Sequence, residues 1–171
     1  MTTAQPTATG YHAFTAAVAA RDVDALVATL APDAVLHSAV TATPFEGREI
    51  LVDLYTSLFE SFEDLRVVDE FQSGSTHAFF WEGRMDGRPV AGADRLRLDE
   101  EGRVREITVV GRPLSGLSTF LTGIGFRFAR RRRGPLVGAL LRLSALPLGP
   151  LFSLLDPVTR WLVRGRRTST R

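Results

Sequence analysis

The spacing of apolar residues changes its period several times along this chain. In YHAFTAAVAA, Phe14 and Val18 stand four residues apart in an alanine-rich run, which predicts a short helix over 11–20. Asp22 is placed to cap a second helix running through Leu30, with Val23, Leu26, Val27 and Leu30 on one stripe and Pro32-Asp33 closing it. AVLHSAV, 34–40, has a strand composition, and TATPFEGRE after it reads as a loop. Between Glu49 and Phe62 the set Leu51, Leu54, Tyr55, Leu58, Phe59 and Phe62 returns to helical spacing and makes a long amphipathic helix.

From there the period falls to two. Strands are predicted at 66–71, 77–85, 89–98 and 103–110, with Asp86-Gly87 and Glu101-Gly102 as turns, a meander of antiparallel hairpins. Phe79 and Trp81 share one face of their strand, and Asp94, Leu96 and Leu98 share one face of the next, so a carboxyl points the apolar way. Helices followed by such a meander predict an α+β fold, a cone-shaped curved antiparallel sheet packed against N-terminal helices around a pocket. A C-terminal helical extension is added to it. The expected division is a frayed segment 1–10, a cone domain 11–115 and a basic, apolar helical extension 116–171.

Charge separates the same two parts. Up to Phe126 the chain has ten arginines against eighteen acids, a formal −8; beyond it, eleven arginines face Asp156 alone, a formal +10. The overall +2 therefore conceals a bipolar molecule. In the basic part, LSGLSTFLTGIGFRFARRRRG predicts a helix ending in four arginines. The apolar stretch 135–155 has the length of a membrane span. Its nine leucines, Val137 and Phe152 favour insertion by about 5 kcal/mol, Arg142 removes about 3, and Pro147 and Pro150 break the helix, so the balance is near zero. Two short helices bent at PLGP, followed by a helix over VTRWLVR, suit the surface of an anionic membrane. Packing against the domain or against the mate of a homodimer is the competing reading. Nucleic acid is the weakest, because leucines rather than polar and stacking residues separate the arginines.

Cysteine is absent and His12, His37 and His77 have no ligand spacing, so no metal and no cofactor are expected. MTTAQPTATG has neither a basic start nor an apolar run, which points to the cytoplasm, or to the inner face of its membrane through the extension.

RDVDALVATLAPDAVLHSAV, PFEGREIL and GADRLRLDEEGRVREITVVGRP, in this order, resemble the nuclear transport factor 2-like superfamily, and within it the SnoaL-like, polyketide cyclase-like proteins. The resemblance covers roughly residues 11–115. It implies a cone with a ligand pocket and membership of a group that includes cyclases, steroid isomerases, hydrolases and non-catalytic binding or dimerising proteins. Asp94 matches the strand aspartate that is an acid or base in the cyclases and a hydrogen-bond donor in the isomerases, and Tyr55 a pocket tyrosine. Ser38 stands where the isomerases keep a catalytic aspartate and Phe14 where they keep a tyrosine, so the base and the donor of that mechanism are missing.

On the residues themselves, Asp94 is the candidate catalytic group, since a carboxyl on an apolar face is desolvated and its pKa rises towards neutrality. A structural pairing at the rim with Arg48, Arg84 or another arginine is the alternative. His37 is its candidate partner if a bulge turns it inward; strict alternation turns it out when Ser38 faces in. Phe14, His37, Ser38, Tyr55, Phe59, Phe79, Trp81 and Val109 complete the expected ligand-binding set. Aromatic walls with one or two polar groups suit a flat hydrophobic small molecule, such as a polyketide, steroid or fatty-acid fragment. The expected function is binding of such a molecule, with possible isomerase, cyclase or hydrolase chemistry through Asp94. A non-catalytic dimerisation module with a docking tail is the alternative.

Overall fold

The structure is a computed structural model that describes residues 12–163. The segment 1–10 and the last arginines therefore lie outside the described residues. The chain opens with α1 (Ala13–Ala20) and α2 (Val23–Ala28), capped as anticipated: the Asp22 side chain accepts from the Ala25 N–H at 2.9 Å. After β1 (Leu30–His37) and the two-residue β2 (Phe45–Glu46) comes α3 (Arg48–Phe59), then four long strands, β3 (Arg66–Ser73), β4 (Thr76–Met85), β5 (Arg88–Leu98) and β6 (Val104–Arg112). They form one curved, open sheet in the order β2-β1-β6-β5-β4-β3.

β3 to β6 pair antiparallel in sequence order, as their period predicts. The β4–β5 turn is closed by Asp86 (φ 48°) and Gly87 (φ 70°), the left-handed pair that a two-residue hairpin requires. Burial follows the alternation: Phe79, Trp81, Asp94 and Leu96 are buried, while Phe80, Arg95 and Arg97 are exposed.

The first strand departs from the expected meander. β1 pairs parallel with β6 and starts at Leu30, four residues before the expected Ala34, so the second helix stops at Ala28 and Ser38 to Val40 lie past the strand. Pro32 disguises this. It has no N–H for the ladder, but the register shifts between Leu30 and Val35, and Pro32 and Asp33 stand exposed in the irregularity. The Val104 N–H donates to the Thr29 carbonyl at 2.9 Å and anchors the early start.

α1 and α3 lay Phe14, Val18, Leu51, Tyr55 and Phe59 on the sheet, where they share one core with Phe79, Leu96, Val104 and Ile107. The extension joins that core. α4 (Leu114–Thr119) continues into a π-helical turn, Phe120–Gly125, and then α5 (Phe126–Arg133), with Leu117, Phe120 and Ile124 buried. Gly116 to Phe128 is therefore part of the body. α5 is tied to α3 by ion pairs of Arg131 with Glu60 and of Arg132 with Asp53 (2.8 Å). α6 (Pro135–Ala145), α7 (Leu148–Ser153) and α8 (Leu155–Val163) follow, with one bend at the anticipated Pro147 and the next at Leu154, while Pro150 is accommodated inside α7.

Candidate functional site

The concave face of the sheet, α3 and the π-helical turn enclose a cavity of ≈ 100 Å³. Its lining is largely apolar, with Leu36, Leu54, Leu58, Phe62, Phe120 and Ile124 prominent, and among the described residues Asp94 is its single carboxyl. β5 puts Asp94 directly opposite Phe79 on β4 and Val109 on β6, in the middle strands where water has least access.

One glycine shapes the site. Trp81 pairs with Gly92, two residues before Asp94 on the same face. A Cβ at Gly92 would stand 2.4 Å from the indole Cζ2 and 2.3 Å from the Val110 carbonyl oxygen, so only glycine lets the indole lie flat across β5. The indole thereby reaches past Gly92, and its Nε1–H donates to Asp94 Oδ1 at 2.8 Å. Phe62 meets Trp81 edge-on at 5.7 Å and Phe120 stacks on it at 6.2 Å, which fixes the ring.

Burial pushes the Asp94 carboxyl up to about 7, with the Trp81 hydrogen bond opposing the rise. The structural alternative, pairing with Arg48 or Arg84, does not occur: Arg48 donates to the Leu30 carbonyl, and Arg84 to the Gly87 carbonyl while pairing with Glu63. Tyr55 brings a second titratable side chain to the lining. Its hydroxyl is buried with no hydrogen-bond partner, and burial together with the nearby Asp94 charge holds it well above the usual phenol range. A buried hydroxyl without a partner costs about 1–3 kcal/mol, so a ligand oxygen there would recover that cost. The cavity thus combines a carboxyl that titrates near neutrality with an unpartnered phenol hydroxyl inside largely apolar walls.

Six of the anticipated residues meet here: Ser38, Tyr55, Phe79, Trp81, Asp94 and Val109 line the cavity. Ser38 Oγ accepts from the Val40 N–H at 3.2 Å. Phe14 and Phe59 do not line it; they stand behind Tyr55, at ring distances of 5.8 and 5.9 Å, and orient its phenol. His37 is a correction. It is exposed at the end of β1, where alternation with the buried Leu36 turns it outward, so it forms no relay with Asp94. The other two histidines lie elsewhere: His12 and His77 are 4.5 Å apart beside Glu70, which accepts from Thr15 Oγ1 at 2.7 Å and clasps α1 to β3. Among the described residues no cluster of three or more His, Asp or Glu could hold a metal.

The reading from sequence missed the wall contributed by the extension, Phe120, Leu121, Ile124, Gly125 and Phe128. Its signal was the helical spacing of Leu117, Phe120, Leu121 and Ile124, which marks an apolar face without saying what it covers. Gly92 was also missed, though an isolated glycine inside a strand signals close approach.

The SnoaL-like domain family matches residues 11–107, more than half of the chain. The chain belongs to the SnoaL-like domain family. Its fold is that of the nuclear transport factor 2-like superfamily. A solved steroid delta-isomerase from Pseudomonas aeruginosa is similar at 27% identity and a TM-score of 0.61, covering 73% of this chain and 96% of that one. An uncharacterized protein with a cystatin-like fold from Silicibacter pomeroyi aligns at 19% identity and a TM-score of 0.62, over 70% and 82% of the two chains. An NTF2-like protein of unknown function from Mesorhizobium loti aligns at 23% and 0.52, over 58% and 85%. The last two speak for the fold alone. No curated protein matches the chain.

Proposed function

We propose that this SnoaL-like protein binds a small apolar molecule bearing a carbonyl, and that Asp94 exchanges a proton with it. One observation carries the reading: a carboxyl and an unpartnered phenol hydroxyl share a cavity that has few other polar groups. The Tyr55 hydroxyl donates to the carbonyl oxygen. Asp94, ionised above about pH 7, removes the proton from the carbon between the carbonyl and a neighbouring double bond and returns it to the far carbon, while Tyr55 stabilises the enolate. A single carboxyl suffices for such a shift on one face of the ligand. The similarity to a steroid delta-isomerase supports this class of chemistry.

Size sets the ligand. A dry cavity of about 150 Å³ holds benzene, and this one is ≈ 100 Å³, so single-ring ketones are the first probes. The test uses 2-cyclohexen-1-one as binding probe and 3-cyclohexen-1-one as substrate, followed by Trp81 fluorescence in a Trp161→Phe background and by absorbance of the conjugated product. Saturable quenching and conversion that rises through about pH 7 are expected, with Asp94→Asn lowering conversion by about 10²–10⁴-fold. If Asp94→Asn changes neither binding nor turnover, the site is wrong. Binding without turnover is the alternative, and saturable quenching with no conversion at any pH would establish it.

A further inference from the structure

We infer that the outer face of α6, α7 and α8 is a docking surface for an anionic lipid bilayer. α6 and α7 meet the body largely through their smallest residues. Gly138 packs under the Phe126 carbonyl and Arg130, Ala145 is buried, and Gly149 lies against Ser118 and Arg88, while Arg88 donates to Ser153 Oγ at 2.7 Å and pins α7. The large side chains face the other way. Leu136, Leu140, Leu143, Leu151, Trp161 and Val163 are each more than half exposed, Leu136 and Val163 at 79%. A helix packed for a soluble body shows the reverse arrangement, leucines in and small or polar residues out. Large exposed apolar side chains repeated along three consecutive helices mark an interaction site.

Charge decides the occupant. The forty-five residues after Phe126 carry eleven arginines against Asp156 alone. Arg127, Arg131 and Arg132 are engaged with α3 acids. Arg130, Arg133 and Arg142 are exposed, Arg142 with its guanidinium over the Phe126 ring at 5.4 Å, and Arg164, Arg166 and Arg167 follow Val163 in sequence. Two copies meeting through this face would oppose like charges, whereas an anionic membrane surface attracts them and accepts the leucines. Trp161, 77% exposed, suits the headgroup boundary. Pro135–Val163 is long and apolar enough to cross a membrane by length and composition. Its bends near Pro147 and Leu154, and the pinning of α7 on the body, favour lying in the surface over spanning.

The test is sedimentation of the full chain with phosphatidylcholine vesicles containing about 30% phosphatidylglycerol, and with pure phosphatidylcholine. The proposal expects binding at least roughly tenfold tighter to the anionic vesicles, weakened by salt, and a loss of at least roughly tenfold in Leu140→Glu/Leu143→Glu. Phe71→Glu, at an exposed site on β3, should bind as the native chain does. A second measurement needs no variant: Trp161 emission should shift to the blue on vesicle addition and be quenched by brominated lipid. No binding to anionic vesicles overturns the proposal. So does a dimer abolished by the leucine substitutions with vesicles ignored, or binding to duplex DNA in preference to vesicles.

Discussion

Replacing Asp94 by Asn should make the folded protein more stable at alkaline pH, and by an amount that follows from burial. The carboxyl has an ordinary value of 3.8 and a folded value of about 7. Between these values the folded state holds a proton that the unfolded state has released, so stability falls as pH rises, by about 1.4 kcal/mol per pH unit. The fall ends above about pH 7, where both states are ionised, with a total of about 4 kcal/mol. Asn keeps the size and an oxygen to accept from the Trp81 indole, but it does not titrate. The assay is urea unfolding of both proteins at pH 5, 6.5 and 8, with the difference between them plotted against pH, since all other groups cancel in it. Asp94→Asn should gain about 2.5–3 kcal/mol on the native chain from pH 5 to pH 8, and little more above that. A difference that stays level with pH would refute the reasoning, because the carboxyl would then be solvated.

Three further substitutions test the walls. Tyr55→Phe removes a buried hydroxyl without a partner, so unliganded stability should rise by about 1 kcal/mol in thermal or urea unfolding, while cyclohexenone affinity falls roughly tenfold. Phe120→Ala deletes the ring stacked on Trp81 and should cost about 3–4 kcal/mol in urea unfolding; in fluorescence titrations it should admit larger ketones than the native chain does. Gly92→Ala forces the Trp81 indole off β5, and should cost about 2–3 kcal/mol and alter Trp81 emission in the Trp161→Phe background.

Much of the sheet and part of the cavity lining are legible in the sequence. The two-residue period of β4 and β5 carries direct information about facing, so the inward turn of Phe79, Trp81 and Asp94 followed from alternation alone. Tyr55 followed from the helical stripe of α3. Three features resisted for definite reasons. Pro32 looks like a terminator, yet a register shift accommodates it within β1, and that moved Ser38 past the strand and left His37 outside. The parallel pairing of β1 with β6 is a long-range choice that local period does not encode. The extension shows an apolar face on its first helix and another on its last ones, and sequence cannot tell that Phe120 and Ile124 close a cavity whereas Leu140 and Leu143 face outward. The glycines and alanine beneath α6 and α7 made that division, and their part emerges only when the packing is seen.

The central claim is that Asp94 sits without water in a cavity that takes an apolar guest. Carbon-13 NMR of aspartate-labelled protein, with Asp94→Asn used to assign the signal, measures the titration of that carboxyl directly. A midpoint near 7 that moves when 2-cyclohexen-1-one is added is the expected result. A midpoint near 3.8, unaffected by the ketone, would contradict the account.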